Sequence, residues 1–428
     1  MDVLYHIIIA LAVLAASPFI LLKMTLDPAF AKDVRARLAG GGDAPKLTGP
    51  IWIHASSVGE VRAAKLMIQA LKRLSPPPEI ALSTFTRTGF ELAREDGLEP
   101  AFRMPPDSPL WLGPLFGRLN PSVLVLVEAE LWPGLLRACH KRGVPVVLVN
   151  GRLSQKSLGR YRLARPVFRW ITAGVRAFAM RGEADAQRLL KLGIERDRVW
   201  VTGNVKFDQP TPAVQETAKE DGEPLVVFGS TRPGDEAIVL KALKLLSQDI
   251  PRLRAVIAPR HMERLSEVES LLMAEGLAFK RLSEAGPADP PPGEILLLDR
   301  LGELASFYPR AQVAFVGGSF DPGIGGHNIL EPAAAGVPVV FGKQMHSFEE
   351  EARLLIASGG GIALEHPEDL HPTLRRLLAD ADERNRRGAR ARETVLQHRG
   401  SVDRNVELIA RFRLSPAAKI MPGVRTIS

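Results

Sequence analysis

Short apolar runs alternate with helix-length amphipathic stretches along the whole chain. In the first half the runs Ile51–Ala55, Glu79–Phe85, Val123–Glu128, Val144–Asn150, Ala177–Arg181 and Val199–Thr202 predict strands. The second half repeats the scheme with Leu225–Gly229, Arg254–Ala258, Ile295–Leu298, Val313–Val316 and Val337–Phe341. Helical patterns such as Glu60–Leu74 and Ala184–Leu192 lie between them. Strands that read as continuous apolar runs are covered on both faces, which is the signature of parallel sheets wrapped by helices. The fold class predicted is therefore α/β, with two Rossmann-like, doubly wound domains. The break is expected near Gln209-Pro210-Thr211-Pro212 and the polar stretch Gln215–Glu223. This gives an N-terminal domain over 25–210 and a C-terminal domain over 211–428. An Arg-rich tail helix from Asp380 to about Arg413 is expected to cross back to the first domain. Facing domains of this kind bind ligands in the crevice at the carboxyl ends of their strands.

Residues 1–24 break the alternation. Val3 to Leu22 is almost wholly apolar and about long enough to cross a bilayer. No basic residue precedes it, whereas Lys23, Lys32, Arg35 and Arg37 follow. The positive-inside rule then predicts a single-pass N-terminal anchor with the body of the protein on the cytoplasmic side. A buried core helix or an interfacial helix is the alternative. The net charge of the 428-residue chain is +8. Its basic residues are scattered rather than interleaved with aromatics, so nucleic-acid binding is not favoured. Anionic lipid headgroups or a phosphorylated substrate account for the excess equally well. The single cysteine, Cys139, excludes a disulfide framework.

The chemically suggestive residues all fall at strand ends. Gly325-Gly326-His327-Asn328-Ile329-Leu330-Glu331 follows one apolar run and precedes another. Its glycines let backbone approach a ligand, and the helix start behind them offers N–H groups to a phosphate. Asn328 and Glu331, at the N-cap and third helical position, form either a capping box or a grip on ribose hydroxyls. Glu60 sits on the turn from the first strand into a helix, behind Ser57. The helix macrodipole is expected to keep it ionised and able to accept a proton, although Ser57 and Glu60 also spell a capping box. Glu128 and Glu130 end an apolar strand and point to one side if that strand continues. Lys206 follows another strand as a cation for a leaving phosphate or an acceptor carboxylate. The string Gly229–Glu236 resembles an anion nest with an arginine, and Arg260, after Pro259, offers a phosphate fork. No Asp-x-Asp pair of the sort that holds a divalent cation for a nucleotide sugar is read, nor any His-x-x-x-His, so no essential metal is predicted.

Taken in order, His54–Glu60, Glu128–Pro133, Gly203–Asp208, Gly229–Glu236, Pro259–His261 and Gly325–Pro332 resemble the 3-deoxy-D-manno-octulosonic acid (Kdo) transferases of lipopolysaccharide inner-core assembly. The resemblance covers essentially the whole chain. It implies the B-type glycosyltransferase (GT-B) fold, CMP-Kdo as donor and co-substrate, no cofactor, and a lipid A precursor (lipid IVA) as acceptor at the cytoplasmic face of the inner membrane. It implies Glu60 as proton acceptor, with Glu130 and Lys206 as transition-state stabilisers. Pro259, Arg260, Leu301, Gly302, Glu303, Asn328, Ile329, Leu330 and Glu331 fall on its CMP-binding elements. The implied reaction is an inverting, metal-independent displacement at the anomeric carbon. Two departures stand out: Asp321-Pro322-Gly323-Ile324 lacks an arginine common in the family, and Ile329 replaces a proline. The alternatives are another GT-B glycosyltransferase or epimerase with a UDP donor, or a non-catalytic sugar-nucleotide binder at the membrane.

Overall fold

In a computed structural model, two sheets are built from strands buried on both faces. The structure describes residues 2–38, 44–128, 130–210, 223–286 and 289–414. Most of the expected break at 209–223, and part of the proline-rich loop at 285–293, lie outside them. The chain divides into one unit of residues 1–209 with 399–428, and another of 210–398.

The first unit holds β1 (Ile51–His54), β2 (Ile80–Thr84), β3 (Ala101–Arg103), β4 (Val123–Val127), β5 (Val146–Gly151), β6 (Val175–Met180) and β7 (Val199–Val201). They form a parallel sheet in the order β3-β2-β1-β4-β5-β6-β7. The apolar run Val123–Val127 feeds both faces. Leu124 and Leu126 join Trp52 in one core, and Val123, Val125 and Val127 join Ile51 and Ile53 in the other. A one-residue slip would exchange these two sets, so register is tightly specified.

The second unit holds β8 (Leu225–Thr231), β9 (Arg254–Pro259), β10 (Phe279–Arg281), β11 (Ile295–Leu297), β12 (Val313–Val316), β13 (Val339–Gly342) and β14 (Gly361–Leu364). Their order is β10-β11-β9-β8-β12-β13-β14, again parallel. Val226, Phe228, Val313 and Phe315 face one core, and Leu225, Val227 and Ala314 the other. The strands that apolar runs failed to predict, β3, β10 and β14, lie at sheet edges or next to polar segments, where the apolar signal is short.

The tail is two helices rather than one. Ala381–Gln397 belongs to the second unit and Ser401–Leu414 to the first. Gly400, at φ 84°, takes the left-handed conformation that separates them. Asp208 accepts hydrogen bonds from the backbone N–H groups of Gly400 and Val402, both at 2.6 Å. The second helix then buries Val402, Val406, Ile409 and Phe412 against the core of the first unit.

The single-pass anchor expected at Val3–Leu22 is not supported. The segment is helical, within Asp2–Leu26, but among the described residues no helix is long and apolar enough to cross a membrane. The side chains of Val3, Leu4, His6, Ile8 and Ala10 fall outside those described. The two ends of this helical region are tied to the same unit. Asp2 accepts from Arg137 at 3.1 Å, Lys141 at 2.9 Å and Trp170 Nε1 at 3.0 Å, and the Tyr5 hydroxyl donates to Asp107 at 2.6 Å. The next helix, Pro28–Leu38, is held by Arg103 Nε donating to Asp33 at 2.7 Å and Trp111 Nε1 donating to the Leu38 carbonyl at 3.1 Å. Between these ties Leu11, Leu14, Phe19, Leu22 and Leu26 are exposed, Phe19 to 81%.

Asp208→Ala removes the cap of the last helix and is expected to cost about 1–2 kcal/mol. Urea unfolding should show the loss. Hydrogen exchange should place it in residues 401–414.

Candidate active site

Glu60 enters its site by the local geometry that its sequence encodes. Ser57 is the N-cap of the helix Val58–Leu71, its Oγ accepting from the Glu60 N–H at 3.4 Å. The Glu60 carboxylate turns back, with Oε2 accepting from Ser56 N–H at 2.8 Å and Oε1 accepting from Ser57 Oγ at 2.9 Å. Ser57 thus caps the helix, but Glu60 bonds the Ser56 N–H rather than that of Ser57, so the reciprocal capping box is not closed; these contacts fix a carboxylate that is only 8% exposed.

The expectation that the macrodipole keeps Glu60 fully ionised fails. Burial pushes its pKa up to about 7, and the negative charges of Glu130 and Glu128 add to this. The bonds from Ser56 and Ser57 oppose the rise without cancelling it. Desolvation and like charge outweigh one helix end. The outcome is a carboxylate poised near neutral pH, where a general base works best.

The paired acids take different partners. The strand stops at Val127, and Glu128 adopts a left-handed φ of 66°. Its carboxylate pairs with Arg181, whose Nε also donates to the Asn150 carbonyl at 3.1 Å. Glu130 instead accepts from Trp132 Nε1 at 2.7 Å. The Trp132 ring stands edge-on to the buried His54 ring, centroids 5.7 Å apart. His54 bonds to Ser83 Oγ at 2.8 Å and Ser56 Oγ at 3.2 Å, and burial lowers its pKa to about 4, so it stays neutral. His54, Trp132 and Arg181 were not read from the sequence as supports of Glu60 and the paired acids. The signal available was their position at strand ends, within or beside the motifs. Lys206 lies on the 3-10 turn Val205–Asp208, capped by Asn204 and packed against the helix that carries Glu60.

In the second unit, Asp235 begins the helix Asp235–Asp249. Its Oδ2 accepts from Arg232 N–H at 2.9 Å and Gly318 N–H at 2.6 Å, tying the β8 loop to the β12 loop. Glu236 is buried and paired with Arg264 at 2.8 Å. Arg260 follows β9, its backbone N–H bonded to Thr231 at 2.9 Å. Glu303 precedes the short helix Leu304–Phe307, beside Gly302 at φ 89° and the exposed Leu301. That segment leads to the buried Tyr308, whose hydroxyl is held protonated by burial and by the charge of Glu331.

The glycine turn differs from its expected form. Its helix is only Leu330–Ala334, and Ile329 takes the N-cap position. Asn328 Oδ1 accepts from Leu330 N–H at 3.1 Å, while its amide donates to Glu331 Oε1 at 2.9 Å. This is a side-chain clasp rather than a reciprocal capping box. Ile329 and Leu330 are buried, which leaves their backbone alone for a ligand. Gly325 and Gly326 have φ of 77° and 82°, and a Cβ on either would meet His346 or Met345 at 2.3 Å. The chain's own packing and backbone conformation thus require these glycines. Among the described residues no group of three His, Cys, Asp or Glu could hold a metal ion.

The two parallel-sheet α/β units resemble the GT-B fold of glycosyltransferases. MurG of Acinetobacter baumannii shares this architecture with a TM-score of 0.57 over 86% of this chain and all of that one; at 14% identity the likeness concerns fold alone. Residues 32–209 match the family model described as 3-deoxy-D-manno-octulosonic-acid transferase (kdotransferase). The 3-deoxy-D-manno-octulosonic acid transferase of Haemophilus influenzae is 31% identical over 93% of this chain and 96% of its own. That of Bordetella pertussis is 33% identical over 87% and 89%. The chain belongs to the Kdo transferase family and is a glycosyltransferase.

Raising the Glu60 pKa makes folding favour its protonated form. The associated stability is fully present below about 4.5 and is lost as pH rises through about 7. Replacing Glu60 with Gln should flatten this loss, which amounts to up to about 3 kcal/mol. Denaturation midpoints at pH 5 and pH 8 for both proteins give the comparison; parallel pH profiles would refute the raised pKa.

Proposed function

We propose that this enzyme transfers Kdo from CMP-Kdo to a sugar hydroxyl of a lipid A precursor such as lipid IVA, in lipopolysaccharide inner-core assembly. The observation that carries the reading is the buried Glu60, with its pKa near 7, in a member of the Kdo transferase family. Glu60 takes the proton of the acceptor hydroxyl. The oxygen attacks the anomeric carbon from the face opposite CMP, the bond to the phosphate oxygen breaks, and configuration inverts. Glu130 and Lys206 stabilise the oxocarbenium-like transition state. CMP leaves without a metal ion, its charge met by Arg260 and by backbone N–H groups of the nucleotide-binding segments. Pro259, Leu301, Gly302, Glu303 and the backbone of Ile329 and Leu330 shape that site, with Asn328 and Glu331 reaching the ribose.

The exposed apolar helix Asp2–Leu26 supports attachment to the cytoplasmic face of the inner membrane. Because the ties at both ends of its helical region are on one unit, the helix lies in the headgroup region rather than across the bilayer. The exposed Lys23 and the following basic residues suit anionic lipid.

Incubation with CMP-Kdo, a tetraacylated lipid A precursor and a chelator should yield a Kdo-bearing lipid, and mass analysis counts the sugars. No product, or dependence on added metal, would sink the reading. Glu60→Gln should lower kcat by about 100-fold or more while CMP binding persists, and wild-type kcat should fall as pH drops below about 7. For the membrane, cysteines placed at Asp2 and Leu26 should react with an impermeant reagent from the same side of sealed vesicles. Labelling from opposite sides would restore a spanning helix.

A further inference from the structure

Arg232 stands at the end of β8, with no acid among the described residues paired to it. Its Nε donates to His327 Nε2 at 3.1 Å and its Nη1 donates to His261 Nε2. No carboxylate of the described residues forms an ion pair with it. Asp235 accepts from its backbone N–H only, and Glu236 is committed to Arg264. Glu263 reaches it only through the His261 ring, at 3.3 Å from Nδ1. To accept from Arg232, both rings must present an unprotonated Nε2. His327 is kept in that form, its pKa lowered to about 4 by burial and by the charges of Arg232 and Arg260. The half-buried guanidinium is thus fixed by two imidazole acceptors, and no carboxylate of the described residues offsets its charge. Neutral imidazoles orient a cation without cancelling it, which is what an anion-binding group needs.

This position also has its backbone locked. Ser230 adopts φ 55°, and a Cβ on Gly317 would lie 2.5 Å from Asp235 Oδ2 and 2.8 Å from the Ser230 carbonyl. The β8 and β12 loops are therefore packed without slack, and His327, in the glycine turn after β12, meets Arg232 from the opposite side of the switch point.

The donor proposed above carries two anionic groups, the phosphate of the nucleotide and the carboxylate on the sugar's anomeric carbon. Arg260, on a different strand end, serves the phosphate in that reading. We propose that Arg232, held by His261 and His327, binds the carboxylate of the donor sugar and so selects an ulosonic acid over a neutral sugar. This rests on the CMP-Kdo reading and adds to it the group that recognises the sugar. Arg232 touches the donor but exchanges no proton with it.

The test compares CMP with CMP-Kdo on the full chain. Arg232→Ala and Arg232→Gln should raise the KM for CMP-Kdo roughly 10- to 100-fold, the loss of one charge-assisted contact. The dissociation constant of CMP by calorimetry should change less than about twofold, as expected when a contact outside the nucleotide is lost. Retained CMP binding also shows that the variants are folded. Arg232→Lys should recover part of the KM, because the charge returns without the fork. Equal weakening of CMP and CMP-Kdo would assign Arg232 to the phosphate and overturn the inference. So would an unchanged KM. Wild-type protein that does not bind CMP would instead overturn the donor reading, and this inference with it.

Discussion

In each unit a buried acid from the first turn of a helix satisfies the N–H groups left where the central strands part. Glu60 does this for Ser56 after β1, and Asp235 does it for Arg232 and Gly318 after β8 and β12. Parallel strands must separate at the switch point, and backbone donors there have no ladder partner. Leaving them unmet inside the protein would cost about 1–3 kcal/mol each. A carboxylate on the adjoining helix meets the need, but only by being taken out of water itself. The pKa of each acid is raised by that burial. Structural necessity and chemical poise come from the same contact.

The two switch points then diverge in charge. Around Glu60 the neighbours are further acids, Glu130 and Glu128, with Glu128 tied to Arg181. Like charge there keeps a proton within reach near neutral pH. Around Arg232 the neighbours are imidazoles and Arg260, and acids are turned elsewhere. One environment holds a carboxylate with its pKa near neutral; the other holds a cation bonded to imidazoles, with no carboxylate of the described residues paired to it.

The support beneath these groups is mostly rigid. Trp132 joins Glu130 to His54, and His54 is bonded on both ring nitrogens to serines of the first two strand ends. Tyr308 lies so close to Gly229 that a Cβ there would approach its hydroxyl to 2.3 Å. Gly325 and Gly326 are fitted against His346 and Met345 in the same way. Packing of this density holds side chains in single rotamers, so the sites are set before a ligand arrives.

The sequence alone determined the two parallel α/β sheets, because strands buried on both faces can only be apolar throughout, as in Val123–Val127 and Val313–Val316. It also placed Glu60, Glu130, Lys206, Arg260 and Glu331 at strand ends, where turn residues and helix starts are visible as motifs. Edge strands such as β10 were not legible, since Phe279–Arg281 carries one apolar residue among charges. Nor was the fate of the apolar N-terminal helix, because hydropathy measures what a segment can tolerate and not where its ends are tied. Only the tertiary structure decided that Glu60 is not a plainly ionised carboxylate and that Glu128 and Glu130 take different partners. It also decided that Arg232 meets two histidines, one of them 95 residues away in sequence. Those outcomes depend on burial and on the charges brought close by folding, and neither quantity is carried by residue spacing.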